Sequence, residues 1–360
     1  MGKTRKQVFL FQLLSFWVLM TGIKVVQSSS SHHHNGHHRR LHLLGPTKLF
    51  VFGDSYADTG NNPKSEKPWH EPYGITFPGK PAGRWSDGRV LTDYIGSLIG
   101  IKSPIPYRRR KFGAKQRHGM NFAYGGTGVF DTLSLNPNMT TQIDYFQQLI
   151  HDNGVYTKLD LDSSIALVSL AGNDYSTYFA RNGTEEGLPD LVRSVVKQLA
   201  LNLKRIHETG VKIVVVTALQ PVGCLPYLTA SSSFQRCNES RNAAVKFHNH
   251  LLHQAVEKLN NESTVAAYKI LDLYSAFMSV FERQKGHPES LKFDNPLKPC
   301  CIGIGVSYSC GSIDESKVKK YTICNNTETA FFWDLFHPTQ EGWNVVLRSA
   351  LQSSLHSLYS

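Results

Sequence analysis

The sequence lacks the motifs by which proteins commonly bind nucleotides, nucleic acids or structural zinc. Its Gly-rich segments do not have the G-x-G-x-x-G or Walker spacing, and it contains neither an RNP motif nor zinc-finger spacing. Its six cysteines include no C-x-x-C pair, which argues against a zinc site. We therefore expect neither a metal nor an organic cofactor.

Acidic residues are also scarce relative to basic ones, 28 against 39, so the formal net charge is +11. The basic residues are scattered along the chain, and the one dense run, at 108–111, is interpreted as a solvated loop. This distribution does not favour a nucleic-acid partner. A basic surface would instead suit anionic cell-wall polymers or membrane surfaces.

The chain has no long apolar run after its N-terminus. There, Lys3, Arg5 and Lys6 precede a mostly apolar run at 8–23 that is short for a transmembrane span, and small residues follow at 28–31. We predict a signal peptide at residues 1–28, a disordered His-rich leader at 29–46 and one domain at 47–360. The protein is expected to be secreted and extracellular, without stable membrane insertion.

The cysteines and glycosylation motifs agree with secretion. Six cysteines are an even number, as expected for three disulfides, and we predict local pairing of Cys224 with Cys237. The pairing of the other four is left open: Cys300, Cys301, Cys310 and Cys324. Five N-x-S/T motifs predict glycosylation at Asn138, Asn182, Asn238, Asn261 and Asn325.

Apolar and amphipathic runs alternate along the chain. Strands are predicted at 49–52, 165–170, 211–218 and 265–273, and helices at 188–208, at 238–259 and from about Thr339 onward. Unbroken apolar strands alternating with helices indicate an α/β fold, with a central parallel sheet covered on both faces. Sites in such sheets form at the carboxyl ends of the strands. The segment 61–119 is rich in Gly, Pro and Arg and shows no clear pattern.

Ser55 lies at such a strand end, in the stretch "KLFVFGDSYADTGNN". A serine hydroxyl is a weak nucleophile at neutral pH and needs a neighbouring base, normally a histidine oriented by a carboxylate. The alternative is an ordinary serine in a strand-to-helix turn.

The C-terminal stretch "FFWDLFHPTQEGW" offers that base, because Asp334 and His337 are three residues apart. If this segment makes one helical turn, both side chains point the same way. Asp334 would then accept the Nδ1–H of His337 and leave Nε2 to take the proton of Ser55. The alternative is a helix-capping aspartate beside a surface histidine.

Two further segments could stabilise an oxyanion. "NFAYGGTG", at 121–128, is Gly-rich, so its backbone N–H groups can approach a ligand closely. Asn173, in "AGND", follows a predicted strand, and its side-chain amide can donate a hydrogen bond.

Taken together and in this order, the segments resemble the plant-type GDSL esterase/lipases of the SGNH hydrolase superfamily. "FGDSYADTGNN", "NFAYGGTG", "SLAGND" and "WDLFHPT" resemble the four catalytic blocks of that family. Between the first two, "GRWSDGR" resembles the family's "GRFSDGR". The resemblance covers residues 48 to about 355. It implies a three-layer α/β/α sandwich with a flavodoxin-like parallel sheet.

The resemblance also implies roles for individual residues. Ser55 would be the nucleophile, His337 the base and Asp334 its orienting partner. The oxyanion hole would consist of the Ser55 N–H, the Gly125 N–H and the Asn173 side chain, with Gly126 as the alternative to Gly125.

The function expected from these assignments is hydrolysis of carboxylic esters through an acyl-enzyme. The substrate would be a small or polymer-linked ester, such as an acyl or acetyl ester of a lipid or a cell-wall component. An acyltransferase would use the same triad, and a non-catalytic lipid- or glycan-binding protein could keep the fold. Oligomeric state is not readable from the sequence.

Overall fold

The computed structural model describes residues 45–151, 154–170, 172–282 and 292–359. The predicted signal peptide at 1–28 and all but the last two residues of the predicted leader at 29–46 lie outside the described residues. The predicted single domain at 47–360 includes both described residues and the gaps between them, and its boundaries stay a prediction.

The central sheet confirms the predicted parallel arrangement. Its strands are β1 (Lys48–Gly53), β2 (Ile105–Pro106), β3 (Gly119–Asn121), β4 (Ser164–Ser169), β5 (Ile213–Thr217) and β6 (Tyr268–Leu271). They lie in the order β2-β3-β1-β4-β5-β6, and neighbouring strands are parallel. Without the two-residue edge strand β2, this is the 2-1-3-4-5 order of flavodoxin-like sheets.

Nine α-helices occur among the described residues. They are α1 (Leu91–Leu98), α2 (Met139–His151), α3 (Lys158–Asp162), α4 (Asn173–Ala180), α5 (Leu188–Glu208), α6 (Pro226–Thr229), α7 (Glu239–Glu262), α8 (Leu273–Phe281) and α9 (Gln340–Tyr359). Short 3₁₀ segments lie at Lys67–Trp69, Tyr107–His118, Val222–Cys224, Ala230–Ser232 and Thr327–Thr329. The basic run predicted as a loop is part of the second of these, with Arg108 and Arg109 exposed.

The helices cover both faces of the sheet, because successive side chains of a strand point to opposite faces. From β1, Leu49 and Val51 pack into the cluster that contains residues of α1, α8 and α9. Phe50 and Phe52 pack into the cluster that contains residues of α2, α5 and α7. The result is the expected three-layer α/β/α sandwich.

Most predicted boundaries are close to the observed ones. The predicted helix 188–208 coincides with α5, and the predicted helix 238–259 is α7, in which Asn238 is the N-cap and accepts a hydrogen bond from Arg241 N–H. The predicted strand 265–273 is too long. Asp272 caps the next helix by accepting from Ser275 N–H, so the strand ends at Leu271.

A second, smaller region contains two antiparallel strands, β7 (Cys301–Gly303) and β8 (Tyr321–Ile323). We call residues 299–330 the disulfide-bonded segment, because disulfides join Cys300 to Cys324 and Cys301 to Cys310. The predicted disulfide between Cys224 and Cys237 is also present. The two bonds within the segment settle the pairing that the sequence left open.

Candidate active site

Ser55 follows β1 in a turn that a glycine makes possible. Gly53 has a φ of +143°, and a Cβ there would lie 1.9 Å from the backbone oxygen of Ser169 on the neighbouring strand β4, so no other residue fits. The backbone carbonyl of Asp54 then accepts from the N–H groups of Ala57 and Asp58, which closes a hydrogen-bonded turn. Ser55 thereby lies in this turn, and its own N–H has no acceptor in the described part of the chain.

The segment that carries Asp334 and His337 is not the helical turn that the sequence analysis considered. It is a bend in which Asp334 Oδ1 accepts from the backbone N–H groups of Phe336 and His337, each at 2.9 Å. This side-chain-to-backbone turn is one that aspartate forms readily. It still brings the two side chains together, because Nδ1 of His337 lies 2.8 Å from Asp334 Oδ1.

Ser55, His337 and Asp334 form one hydrogen-bonded chain. Nε2 of His337 lies 2.8 Å from Oγ of Ser55, although the two residues are 282 positions apart. All three are buried. Since the carboxylate can only accept, Nδ1 carries a proton and donates it, which leaves Nε2 free to accept from the serine hydroxyl. The arrangement can therefore deprotonate Ser55 as it attacks an electrophile.

Tyr73 completes the surroundings of Asp334 and was not found from the sequence. Its hydroxyl donates to Asp334 Oδ2 at 2.8 Å. Burial by itself would raise the pKa of Asp334, but His337, its hydrogen bonds and the Tyr73 hydroxyl lower the pKa below its usual value. Asp334 is thus ionised and ready to orient the imidazole. Tyr73 lies in the Gly- and Pro-rich segment that gave no periodic signal.

Trp85 and Tyr56 enclose the imidazole of His337. The indole of Trp85 stacks on it with ring centroids 5.1 Å apart and planes inclined by 28°, and Tyr56 meets it edge-on at 6.0 Å. The Nε1–H of Trp85 is buried and has no acceptor among the described residues. The "GRWSDGR" stretch pointed to this position, but nothing in the sequence placed its side chain on His337.

Asn173 lies where the sequence predicts, at the start of α4 just after β4. Its Nδ2 group donates to Asp54 Oδ2 at 3.0 Å and to the backbone oxygen of Thr127 at 2.9 Å. Both amide hydrogens therefore have protein acceptors here. Its assignment to an oxyanion hole stays a prediction, and it requires one of these two bonds to be exchanged for the ligand.

The Gly125–Gly126 doublet is held by polar side chains. The Gly125 N–H donates to Asn62 Oδ1 at 2.6 Å and, more weakly, to Asp58 Oδ2 at 3.3 Å, while its carbonyl accepts from Asn136 Nδ2. The Gly126 N–H has no acceptor in the described ranges. In this conformation the free amide is that of Gly126, the alternative to the Gly125 that the sequence analysis chose.

Asp58 has a structural place in this network. It accepts from the N–H groups of Gly60 and Asn61, each at 2.7 Å, as well as from Gly125. Burial raises the pKa of Asp58 to about 7, although these hydrogen bonds act in the opposite direction. Asp58 therefore fixes the backbone at Gly60 and Asn61 and links it to Gly125.

The predicted glycosylation sites differ in accessibility. Asn182, Asn238, Asn261 and Asn325 are exposed. Asn138 is half-buried, and its Nδ2 donates to Asp131 Oδ1 at 2.7 Å. A glycan on Asn138 would have to turn this side chain, so the other four are the more accessible acceptors. Glycosylation stays a prediction for all five.

The described residues contain no cluster of three or more His, Cys, Asp or Glu side chains placed to hold a metal ion. Within the same ranges, no helix has the length and hydropathy needed to cross a membrane.

Comparison with known proteins gives a consistent picture. Residues 49–348 match the family model described as GDSL-like lipase/acylhydrolase. Two GDSL esterase/lipases of Arabidopsis thaliana are 56% identical over 321 residues and 51% identical over 323 residues. The first match covers 88% of this chain and 89% of the relative, and the second covers 89% and 91%. The similarity therefore extends from β1 into α9.

Proposed function

The chain belongs to the GDSL-like lipase/acylhydrolase family and is a carboxylic ester hydrolase, and we propose that it cleaves acyl or acetyl esters through a triad of Ser55, His337 and Asp334. The observation that carries this proposal is the hydrogen-bonded chain from Ser55 Oγ through the imidazole to Asp334. A structural serine would not need a base at 2.8 Å whose other nitrogen is bonded to a buried carboxylate.

In the first step, Ser55 Oγ attacks the carbonyl carbon of the ester while its proton moves to His337 Nε2. The carbonyl oxygen becomes an oxyanion, and Asp334 stabilises the imidazolium that forms. The C–O bond to the alcohol then breaks, and the alcohol oxygen takes the proton from Nε2. An acyl group remains on Ser55.

In the second step, a water molecule gives a proton to His337 Nε2 and attacks the acyl carbon. The second oxyanion collapses, the bond to Ser55 breaks, and Oγ regains its proton from the imidazolium. The carboxylic acid leaves and the enzyme returns to its starting state.

We assign the oxyanion donors to N–H groups near the carboxyl ends of β1, β3 and β4. The Ser55 N–H has no protein acceptor in the described ranges, and neither has that of Gly126. Asn173 would join them by giving up its bond to Asp54 or to Thr127. Each such donor is typically worth about 3–4 kcal/mol of the reaction barrier.

Secretion is part of the same proposal. Three disulfides in one chain are typical of oxidising compartments, and the four exposed N-x-S/T asparagines are accessible to glycosylation. A chain recovered from the medium of a plant expression host, with a mass that falls on treatment with an N-glycosidase, would support this part. Retention inside the cell without glycans would overturn it.

The triad is tested by labelling the folded protein with a fluorophosphonate probe beside Ser55→Ala. Hydrolysis of p-nitrophenyl acetate, butyrate and palmitate is measured in parallel. We expect labelling and hydrolysis by the parent chain and neither by Ser55→Ala, with unchanged circular dichroism. Labelling that survives in Ser55→Ala, or an unlabelled folded parent chain without hydrolysis, would overturn the proposal.

A further inference from the structure

An exposed aromatic pair lies directly beside the triad. Phe336 is 41% exposed although its neighbours in the site, Asp334 and His337, are only 5% and 6% exposed. Tyr227, which is 60% exposed, stacks on Phe336 with ring centroids 5.2 Å apart and planes inclined by 27°. Single exposed apolar side chains are normal on a protein surface, but two stacked rings beside the base His337 form a continuous apolar surface.

The backbone holds this pair in a fixed relation to His337. Phe336 N–H donates to Asp334 Oδ1, and the Phe336 carbonyl accepts from the Tyr56 hydroxyl at 2.9 Å. The N–H of Tyr227 donates to the carbonyl of Leu335 at 3.0 Å. The two rings are therefore attached to the same bend that carries the base, which preorganises them for a ligand at that place.

The chemistry of the triad says which half of the ester this ligand is. The departing alcohol oxygen takes its proton from His337 Nε2, so it must lie within hydrogen-bond distance of that nitrogen. The carbonyl oxygen lies instead with the N–H donors at the strand ends. Because the Phe336 ring centroid is 6.2 Å from that of the imidazole, a substituent on the alcohol is the part of the substrate that can reach the aromatic pair.

We propose that Tyr227 and Phe336 bind the alcohol half of the ester and favour alcohols that carry a flat ring, either an aromatic ring or the C–H face of a sugar. This inference rests on the proposed triad, because the triad fixes the side on which the alcohol leaves. Stacking of rings contributes about 0.5–1.5 kcal/mol beyond area burial in proteins, which corresponds to about a two- to tenfold effect on kcat/KM.

The test uses acetate esters that differ only in the alcohol: benzyl acetate, a methyl 6-O-acetylglucopyranoside and isobutyl acetate. Phe336→Ala and Tyr227→Ala are compared with the parent chain. We expect kcat/KM to fall about two- to tenfold for one or both ring esters, mostly through KM, and less than twofold for isobutyl acetate. The first two substrates separate an aromatic from a sugar preference. The matched control is Tyr308→Ala, since Tyr308 is an exposed aromatic between β7 and β8.

The hydrolysis rate of the acyl-enzyme separates loss of alcohol binding from a general structural defect, because a structural defect would lower this rate as well. All three esters give the same acetyl-enzyme, so its hydrolysis rate should be unchanged in both variants. Equal losses for all three esters, or a loss that follows acyl length in p-nitrophenyl acetate and butyrate, would overturn the proposal. If Phe336→Ala does not fold, Tyr227→Ala and Phe336→Leu carry the test. If the folded parent chain is not labelled by a fluorophosphonate, the proposed triad itself is wrong.

Discussion

The nucleophile and its base come from two regions that are built differently. Ser55 follows the strand β1, in which the four residues 49–52 are fully buried between two layers of helices. His337 lies in an irregular segment that is joined to the disulfide-bonded segment through bonds from Cys300 N–H to the carbonyl of Phe332 and from Cys301 N–H to that of Trp333. The nucleophile side is held by the core of the sheet. The base side is held partly by that core, through Phe331 and Phe332, and partly by backbone pairing beside two disulfides.

The base side also has a small core of its own. Trp333 belongs to a small cluster with Tyr73 and the cysteines Cys300, Cys301 and Cys310, separate from the two clusters of the sheet. A small core supplies little hydrophobic stabilisation, so covalent links matter more there. We therefore expect Ser55 to keep its position when the disulfide-bonded segment is disturbed, whereas His337 should be displaced.

The largest effect is expected from disturbing the base alone. Asp334→Asn keeps the shape of the side chain but places an amide where the imidazole needs an acceptor, which selects the wrong tautomer of His337. We expect kcat for p-nitrophenyl acetate to fall about 10³–10⁴-fold, as loss of the orienting carboxylate does in other triads. The rate of fluorophosphonate labelling should fall with it.

Tyr73→Phe provides the graded control for this change. It removes only the 2.8 Å hydrogen bond to Asp334 Oδ2, so a decrease in kcat of about tenfold or less is expected. An Asp334→Asn enzyme with more than a tenth of the parent kcat would contradict the role given to Asp334.

The next effect distinguishes the two regions through their disulfides. Replacing both Cys300 and Cys324 by alanine, or both Cys224 and Cys237, opens loops of 24 and 13 residues. The chain-entropy relation gives a similar cost for both, about 3 kcal/mol of unfolding free energy. At a temperature where both variants stay folded, only the Cys300/Cys324 variant should label Ser55 slowly, by about tenfold or more, because it loosens the attachment of the His337 segment.

Urea unfolding measures the two costs, and the labelling rate with a small fluorophosphonate measures the state of the triad without an alcohol group that could contact Tyr227. Equal labelling rates in the two variants would show that the disulfide-bonded segment does not position His337.

At low pH, a destabilising group lies on the sheet side of the molecule. His248 is buried on α7 with its Nδ1 at 2.6 Å from the hydroxyl of Tyr175, and burial lowers its pKa to about 4. The unfolded chain takes up this proton near pH 6.5, so stability falls as the pH drops from about 6.5 towards about 4. The contribution of His248 to the free energy of unfolding should fall by about 2–3 kcal/mol between pH 7 and pH 4.5. Asp58, whose pKa burial raises to about 7, acts in the opposite direction over this range, so the His248 contribution is measured as the difference between the parent chain and a His248 variant.

Asp334 also loses its contribution to stability as the pH falls, but in a lower pH range. Its pKa is lowered on folding, so its contribution to stability is present above the unfolded value of 3.8 and is lost only below it. Urea unfolding at pH 7 and pH 4.5 measures the change in the free energy of unfolding. Relative to the parent chain, His248→Gln should lose about 2–3 kcal/mol less unfolding free energy between the two pH values, whereas His253→Gln, at an exposed position of the same helix, should change with pH as the parent chain does. The same pH dependence in His248→Gln and in the parent chain would contradict this role of His248.

The sequence predicted the sheet side better than the base side, for physical reasons. Strands and helices such as β1 and α5 follow from hydrophobic periodicity, which burial imposes residue by residue. The positions of Ser55 and Asn173 follow from the rule that parallel strands place their carboxyl ends together. These features depend on local patterns that the chain itself displays.

The base side depends on contacts between distant segments, which no local pattern displays. Four cysteines allow three pairings, and sequence does not choose among them. Tyr73 and Trp85 come from a stretch without periodicity, so their contacts with Asp334 and His337 could not be foreseen. The helical turn expected at Asp334 was also wrong, since its carboxylate bonds to backbone N–H groups in a bend instead.

An effect smaller than that of Asp334→Asn should come from Trp85, which contacts His337 and lies against Gly125. Its ring face meets the imidazole, which becomes a cation as Ser55 attacks, and a cation over an indole gains about 0.5–2 kcal/mol. Trp85→Leu should therefore lower kcat about two- to thirtyfold with little change in KM. Trp85→Phe keeps an aromatic face and should retain most of kcat. If Phe loses as much as Leu, the unpaired indole N–H is the functional part of Trp85; if neither loses, the stack only fills space.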